Sequence, residues 1–396
     1  MPVLRSLRTR LAAERPLDGL SVAACLHVTA ETANLVRALR AGGASVALCA
    51  ANPLSTQDDA AAALVEEGAE VHAIRGEDAD AYARHVATLV AARPQITLDD
   101  GADLLTVAHA ADMADTLLAG TEETTTGLLR IRGLAAEGRL ACPVVAVNEA
   151  WTERLFNDRY GTGQSALDGI LRATNLLLAG RTVVVLGYGV TGQGIAQRAR
   201  GAGARVVICE VDPVRALEAC MEGFEVLPAL RAAEVGEVFV TVTGSARVLG
   251  AEHIARMRDG AVLANAGHFD VEIDLPALRE AATGGVREVL PLVEEHLLAD
   301  GRRLNLLASG RVVNLAAGQG HPPAAMDLSF ALHVLVVEHL ARVAADLTPT
   351  VHPVPEAIDR EVARLKLESL GVAIDAPSPD QLAYLERFRA VGGTVA

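Results

Sequence analysis

Three glycines with the spacing of a dinucleotide-binding loop are the first residues whose types and positions suggest chemistry. Gly187, Gly189 and Gly192 form a GxGxxG motif that follows an apolar run and precedes a segment of helical periodicity. In that context the first glycine allows a tight turn, the second lets a pyrophosphate approach the backbone, and the third packs the helix on the strand. Glu210 ends the next apolar run, where a carboxylate bonds ribose hydroxyls and repels a 2′-phosphate. The motif therefore predicts NAD in preference to NADP; a glycine-rich turn without a ligand is the weaker alternative.

The segments that must position this loop alternate between short β-rich runs and longer runs of helical period. This alternation is typical of parallel sheets with covering helices, so we predict an α/β fold with two doubly wound, Rossmann-like domains and a boundary near 150–165. A C-terminal helical appendage follows from Pro349 onward, with a helix predicted over 380–393. The predicted strands are 21–27, 44–50, 70–74, 95–100 and 143–148 in the first domain, and 182–187, 205–210, 237–244, 261–267 and 311–317 in the second.

The amino-acid composition and net charge exclude several classes of binding partner. The 396 residues include 35 Lys or Arg against 50 Asp or Glu, a formal charge of −15, and 51% are hydrophobic. This hydrophobic content excludes a disordered chain, and the acidic charge argues against nucleic acid or an anionic membrane surface as the main partner. Five scattered cysteines show no CxxC spacing, which indicates reduced thiols, and no metal site is predicted. With no 18-residue apolar run and no signal-peptide core, we expect a cytoplasmic protein that binds a small molecule.

Seven short blocks extend the interpretation beyond the cofactor loop. They are CLHVTAET (25–32), NPLSTQD (52–58), LDDG (98–101), EETTTG (122–127), RYGTGQS (159–165), NAGHFDVE (265–272) and GHP (320–322). In type and order these blocks closely resemble the S-adenosyl-L-homocysteine hydrolase family. The ending, around 382–388, resembles that of the family's shorter prokaryotic branch.

The resemblance implies a domain organisation and a reaction cycle. A substrate-binding domain is expected over 1–155 and 320–352, a NAD-binding domain over 160–318, and an oligomerisation appendage over 353–396. The family is usually tetrameric, so we expect a homo-oligomer, either a tetramer or a dimer. The implied cycle acts on a bound nucleoside: tightly bound NAD oxidises a ring hydroxyl to a ketone, a base removes the proton on the adjacent ring carbon, the 5′ substituent leaves, water adds, and the ketone is reduced. NAD is thereby regenerated in each turnover.

The resemblance also assigns expected roles, position by position, to residues of this chain. Proton handling around the sugar is assigned to His27, Asp100, Glu123 and His268. Contacts around the base are assigned to Thr29, Glu31, Thr32, His321 and Met326. NAD contacts are assigned to Thr124, Thr125, Thr126, Thr243, Asn265 and Asn314, in addition to the glycine loop and Glu210.

One stretch departs from the family pattern at positions expected to be catalytic. Where the family has Thr-Lys-x-x-Phe-Asp-Asn, this chain has Glu153 at the lysine position, Asn157 at the aspartate position and Asp158 at the asparagine position. A lysine beside the sugar would stabilise oxyanion character during hydride transfer, whereas a carboxylate opposes it unless the carboxylate is itself the base. Arg154 brings a positive charge but cannot act as a base. The single lysine of the chain, Lys366, lies in the appendage.

Three hypotheses follow from this departure. The favoured one is a nucleoside dehydratase of the kind that nucleoside-antibiotic biosynthesis needs, which eliminates a 5′ hydroxyl without adding water and uses Glu153 or Asp158 as the base at the oxidised hydroxyl. The alternative is an authentic S-adenosyl-L-homocysteine hydrolase that releases adenosine and homocysteine. The third is a non-catalytic regulator that binds a nucleoside and NAD. Thiol release separates the first two, and NADH absorbance with adenosine analogues tests the third.

Overall fold

Two α/β domains, each built on one sheet, make up the described part of the protein, residues 1–390 of a computed structural model. Strands β1 to β15 cover Ser21–Leu26, Ser45–Ala50, Glu70–His72, Ile96–Asp99, Ala119–Glu122, Val144–Ala146, Thr182–Leu186, Arg205–Cys209, Glu225–Val226, Val238–Thr241, Ala261–Asn265, Val286–Leu290, Val293–Leu297, Arg303–Leu307 and Val351–Pro353. Helices α1 to α16 cover Pro2–Glu14, Ala30–Ala41, Asp58–Glu66, Ala79–Ala91, Asp103–Ala110, Thr125–Ala136, Gly163–Thr174, Val190–Gly201, Pro213–Met221, Ala229–Val235, Ala251–Ile254, Leu275–Ala281, Val313–Ala316, Pro323–Val343, Glu356–Ser369 and Pro379–Ala390. A π-helix covers Glu153–Thr162, and 3-10 turns cover Ala114–Thr116, Val147–Glu149, Ala308–Gly310 and Ala344–Asp346.

The first sheet is parallel throughout, with the strand order β15-β6-β5-β4-β1-β2-β3. Strand β1 lies between β2 and β4, so the order of the strands reverses there. Ligands of such sheets bind at the carboxyl ends of the strands, beside the reversal. This edge of the sheet is therefore the expected place for ligand-binding and catalytic residues.

The second sheet has the order β12-β13-β14-β11-β10-β7-β8-β9. Its central strands are parallel, and the order reverses at β7, which pairs with both β8 and β10. Strand β13 runs antiparallel to β12 and β14 at one edge. Buried apolar clusters cover both faces of each sheet. The predicted pair of doubly wound domains is confirmed, with an antiparallel edge that the sequence had not indicated.

The strand predicted over 311–317 is wrong. The chain there forms the short helix α13, and Val312 makes only an isolated bridge to Asn265. Strand β14 instead occupies the place beside β11, and left-handed residues Ala308, Ser309 and Gly310 turn the chain directly after it. A short apolar run fits a buried strand and a buried helical turn equally well. Of the helix predicted over 380–393, residues 391–393 lie outside the described residues.

Helix α14 returns the chain from the second domain to the first. In residues 1–390 it is the helix long and apolar enough to cross a membrane, yet 67% of its apolar window is buried inside the protein, as in a core helix. Its Asp327 carboxylate accepts hydrogen bonds from the backbone of Val3 and Leu4, and lies 2.9 Å from Lys366 Nζ on α15. These bonds join α1, α14 and α15.

Candidate active site

Three chemically active side chains stand at the carboxyl ends of neighbouring strands in the first sheet. His27 directly follows β1, Asp100 directly follows β4, and Glu123 directly follows β5. Because β1, β4 and β5 are adjacent and parallel, the three residues emerge at the same edge of the sheet. The fold thus brings together residues that lie almost 100 positions apart in the sequence.

Asp100 links the two domains through a pair of histidines. Its Oδ2 lies 3.1 Å from His27 Nε2, and its Oδ1 lies 3.4 Å from Nδ1 of His268, which follows β11 in the second domain. A Cβ on Gly101 would lie 3.0 Å from His268 Nε2, so a glycine at 101 permits this approach. Burial lowers the pKa of His27, and the Asp100 charge opposes that effect. A neutral imidazole held by a carboxylate can exchange protons near neutral pH.

Glu123 forms a hydrogen bond that the sequence did not suggest. Its Oε2 lies 2.7 Å from Nε2 of His333 on α14. Burial raises the pKa of Glu123 well above its ordinary value, and the charges of Asp100 and Glu153 add to this effect. Burial also lowers the pKa of His333 to about 4. Both effects favour uncharged forms, so a proton taken up by the Glu123 carboxylate is held by a neutral carboxyl group beside a neutral imidazole.

The residues that depart from the family pattern lie on the π-helix. Its backbone hydrogen bonds join residues five apart, so side chains four and five apart share one face. Asn157 donates through Nδ2 to Oε1 of Glu153, and its Oδ1 lies 2.5 Å from Nδ1 of His321. Asp158 Oδ2 accepts from Asn148 at 3.5 Å. The π-helix thus presents two carboxylates and an amide together.

These carboxylates give the site a surplus of acidic groups. Burial raises the pKa of Glu153 to about 7, and the charge of Asp158 contributes further. Burial likewise raises the pKa of Asp158 to about 7, against the lowering effect of Arg154. The Arg154 guanidinium itself lies 3.7 Å from Glu149, outside this cluster. Carboxyl groups with pKa values near 7 exchange protons at neutral pH, which suits general acid–base catalysis.

Two of the five residues expected around the base line a cleft of about 550 Å³ between the domains. Glu31 and His321 line this cleft. Thr29 instead caps α2 by accepting a hydrogen bond from the backbone of Thr32 at 3.4 Å, as residues at a helix N-terminus commonly do. Met326 packs against the apolar core of the first domain. The structure therefore places two of the five residues at the cleft.

The glycine loop after β7 has the shape that a dinucleotide requires. Gly187 has a φ of +105°, which favours glycine. A Cβ on Gly192 would lie 2.1 Å from the Gly187 carbonyl oxygen, so α8 packs closely on the strand. A Cβ on Gly189 would meet nothing nearer than 3.8 Å, which leaves room for a phosphate over the loop. Glu210, directly after β8, accepts a hydrogen bond from the Tyr188 backbone at 2.7 Å and so stands beside the loop.

Asn314 provides a further test of whether these residues fit NAD. Its Oδ1 is buried without a hydrogen-bond partner among residues 1–390, while its Nδ2 donates to the Ser165 hydroxyl at 3.2 Å. A buried acceptor of this kind calls for a donor, and a carboxamide is such a donor. The residues therefore fit: the glycine loop and Glu210 would hold the diphosphate and ribose of NAD, and Asn314 its carboxamide.

The other residues expected to contact NAD form hydrogen bonds within the chain. These bonds fix the loops where the two domains meet, and a direct contact with NAD stays a prediction for each of them. The pairs are Thr124 with Glu122, Thr125 with Asn148, Thr126 with Thr124, Thr243 with Glu272, and Asn265 with Thr241, Gly267, Phe269 and Gly310.

Comparison with known proteins identifies the family to which the chain belongs. Residues 158–320 match the family model "S-adenosyl-L-homocysteine hydrolase, NAD binding domain", and residues 1–119 match the model "S-adenosyl-L-homocysteine hydrolase". An adenosylhomocysteinase of Aquifex aeolicus is 53% identical over 391 residues, which cover 98% of this chain and 93% of that protein. The chain belongs to the S-adenosyl-L-homocysteine hydrolase family.

Two further members of the S-adenosyl-L-homocysteine hydrolase family are similar to this chain over nearly its whole length. An adenosylhomocysteinase of Saccharolobus solfataricus is 51% identical over 393 residues, covering 98% of this chain and 94% of that protein. An S-inosyl-L-homocysteine hydrolase of Methanopyrus kandleri is 51% identical over 390 residues, covering 98% and 92%. The predicted family, its NAD cofactor and the status of the protein as an enzyme are confirmed.

Proposed function

We propose that this protein cleaves the 5′ thioether of an S-nucleosyl-L-homocysteine by hydrolysis, and releases the nucleoside and homocysteine. The observation that supports this most is the meeting of His27, Asp100 and Glu123 with His268 at one sheet edge. Relatives about half identical over nearly the whole chain are named adenosylhomocysteinase or S-inosyl-L-homocysteine hydrolase. Adenosine is therefore the favoured nucleoside and inosine its rival. We favour hydrolysis over the dehydratase reaction because these relatives are named as enzymes of the hydrolysis.

The first step requires a base at the ring hydroxyl. Bound NAD supplies the hydride acceptor there, and later the hydride donor. Glu153 and Asp158 suit the role of base because pKa values of about 7 leave a carboxylate fraction at neutral pH. Asn157 holds Glu153 through Oε1, and Oε2 has no hydrogen-bond partner among the described residues. We therefore assign the hydroxyl proton to Glu153 Oε2.

The remaining protons move at the adjacent ring carbon and at sulfur. Once the hydroxyl is a ketone, the neighbouring carbon is acidic enough for a carboxylate such as Glu123 to remove its proton. Asp100 holds His27 and His268 at 3.1 Å and 3.4 Å, so one of these histidines, in its protonated form, can protonate the departing sulfur, and the neutral imidazole that remains then accepts a proton from the added water. Each group regains its starting protonation before the product leaves.

A nucleoside dehydratase is the second candidate, and one observation favours it. Glu153 occupies the position of the family's lysine, and the lysine that the chain does contain is held by Asp327. The site therefore offers less positive charge to developing oxyanion character. An enzyme that eliminates a 5′ hydroxyl and adds no water would require a different side chain at this position from the one that the hydrolase requires.

A titration of free thiol tests the proposal. Purified protein with NAD is mixed with S-adenosylhomocysteine and, separately, with S-inosylhomocysteine. Release of thiol at about 1 to 1000 turnovers per second supports the hydrolase. In a parallel reaction with adenosine as the substrate, a product lighter than adenosine by one water, together with no thiol release from either thioether, identifies the dehydratase. If neither product forms and no adenosine analogue produces NADH absorbance, the protein is a non-catalytic binder and the proposal is wrong.

The family pattern can also be restored on the π-helix. The triple variant Glu153→Lys, Asn157→Asp and Asp158→Asn returns a cation to the site, and we expect thiol release from S-adenosylhomocysteine to rise about 10-fold or more. Arg154→Lys is the matched control, because it adds a lysine to the same helix at a half-exposed position and keeps the charge; it is expected to change the rate less than twofold. An unchanged rate in the triple variant means that specificity lies elsewhere, around His321.

We also propose a cytoplasmic homo-oligomer, either a tetramer or a dimer. Val211 and, on α9, Val214, Leu217 and Met221 are exposed. Their spacing places them on one side of the helix, and an exposed apolar stripe commonly marks a contact surface. Light scattering is expected to give at least twice the 41.2 kDa of one chain, and a monomer would contradict the proposal.

A further inference from the structure

His333 is a buried imidazole to which the cycle described above gives no role. Its Nε2 lies 2.7 Å from Glu123 Oε2, its side chain is fully buried, and its Nδ1 has no hydrogen-bond partner among residues 1–390. A buried polar atom left without a partner costs about 1 to 3 kcal/mol. A residue that imposes such a cost in a core helix is a candidate for a functional role.

The elements packed around His333 present carboxylates to it. Glu123 follows β5, Asp100 follows β4, and Glu153 comes from the π-helix; of these, Glu153 has the largest charge effect on the imidazole, ahead of Asp100. On α14 itself the Phe330 ring stands at 6.3 Å. Within residues 1–390, neither Glu123 nor Glu153 forms an ion pair with a lysine or arginine. His333 is therefore the basic group that hydrogen bonds to this cluster from α14.

We propose that His333 is a positioning residue that acts through Glu123 and shares with it the proton that Glu123 takes up during the cycle. This rests on the proposed function, because the proton concerned is the one that Glu123 takes from the ring carbon. In the family pattern a lysine supplies the fixed cation of the site. Here an imidazole that becomes cationic only when a proton arrives takes over part of that role.

The proton balance of this step is simple. The carbon–hydrogen bond of the substrate breaks, its electron pair stays on the ring carbon, and the proton goes to the Glu123 carboxylate, which becomes a neutral carboxyl group beside the neutral His333 imidazole. Glu123 passes the proton to Nε2 of His333, which leaves a carboxylate beside an imidazolium in place of two neutral groups. The reverse transfer returns the proton to the ring carbon when water has been added. No oxidant, reductant or further reactant enters the step.

His333→Gln tests the role in turnover. Glutamine can still hydrogen bond to Glu123 but does not take up a proton, so kcat is expected to fall about 10- to 100-fold, less than the loss of a direct acid or base. KM is expected to change less than threefold, and one ionisation is expected to disappear from the dependence of kcat on pH. His339→Gln, on the same helix and away from the carboxylates, is the control. A kcat within twofold of the wild type, or a loss confined to KM, would overturn the proposal.

Nitrogen-15 NMR of the histidine side chains gives a second readout that needs no turnover. The His333 signal is the one missing from the His333→Gln spectrum. In the wild type it is expected to move as the pH rises and the pair with Glu123 releases its proton, at a pH above the ordinary pKa of a glutamate, and in Glu123→Gln it is expected to stay constant over the same range. The same pH response in both proteins would overturn the shared proton. If no S-nucleosylhomocysteine is turned over, the proposed function fails, and the NMR result alone decides the proton-sharing pair.

Discussion

Replacing Glu153 by Gln is expected to stabilise the protein at alkaline pH. The side chain is buried, and its pKa is about 7 in place of 4.5, mainly because of that burial. Between these two values the folded protein keeps a proton that the unfolded chain has released, so the free energy of unfolding falls as the pH rises. Glutamine has almost the same shape, keeps an oxygen for the hydrogen bond from Asn157, and carries no charge.

The size of the effect follows from the difference between the two pKa values. One pKa unit corresponds to about 1.4 kcal/mol, so a rise from 4.5 to about 7 removes about 3 kcal/mol from the free energy of unfolding above pH 7. Near pH 4.5 and below, Glu153 is protonated in both states and this cost disappears. Glu153→Gln is therefore expected to match the wild type in acid and to exceed it by up to about 3 kcal/mol at about pH 8.

Urea unfolding followed by circular dichroism, at several pH values and equal protein concentrations, measures this difference. Glu149→Gln is the control, because Glu149 is a partly exposed carboxylate whose pKa is lowered, chiefly by its hydrogen bond with Arg132. A lowered pKa contributes stability above the unfolded value, so this variant is expected to lose up to about 1 kcal/mol at neutral pH. The reasoning is refuted if Glu153→Gln is no more stable than the wild type at about pH 8, or if its advantage does not grow with pH.

Two further variants probe the cofactor loop and the return helix. Glu210→Gln removes the charge beside the glycine loop, so calorimetry is expected to show NAD binding weakened about 10-fold and NADP binding strengthened, because repulsion of the 2′-phosphate is lost; an unchanged preference for NAD would contradict this role. Lys366→Met leaves the buried Asp327 carboxylate with only its two backbone donors, and urea unfolding at neutral pH is expected to show a loss of about 2 kcal/mol. Lys366→Arg keeps the charge and is expected to lose less; equal unfolding midpoints for Lys366→Met and the wild type would show that the ion pair adds nothing.

The glycine loop is the part of the site with a local sequence signal. The glycine loop combines a fixed spacing with a strand before it and a helix after it. His27 and Asp100 are instead expected at the site from the family resemblance, and the topology of the parallel sheet brings them to one edge. For the glycine loop the information lies within a few residues of the motif, whereas the roles of His27 and Asp100 rest on a resemblance that extends over most of the chain.

The parts that escaped prediction depend on contacts between distant segments. Strand β5, Ala119–Glu122, has the sequence AGTE and carries no apolar pattern, yet it is buried because it lies between β4 and β6. His333 and Glu123 are hydrogen bonded although they lie 210 positions apart in the sequence. The sequence shows His333 only as a histidine within an apolar helix, and nothing near it indicates its partner. The π-helix that brings Glu153 and Asp158 to one face cannot be recognised from the amino-acid composition, because the same residues are equally compatible with an α-helix.

The bond between Lys366 and Asp327 also determines how the protein can be labelled. Lys366 is the one lysine among the 396 residues, its side chain is 16% exposed, and its Nζ is held by a carboxylate. Amine-directed reagents will therefore react mainly at the N-terminal amine, and cross-linkers that join lysines will not capture neighbouring subunits, whatever assembly forms. The same scarcity makes it straightforward to attach one dye to each chain, so that stepwise photobleaching can count the subunits of a single particle.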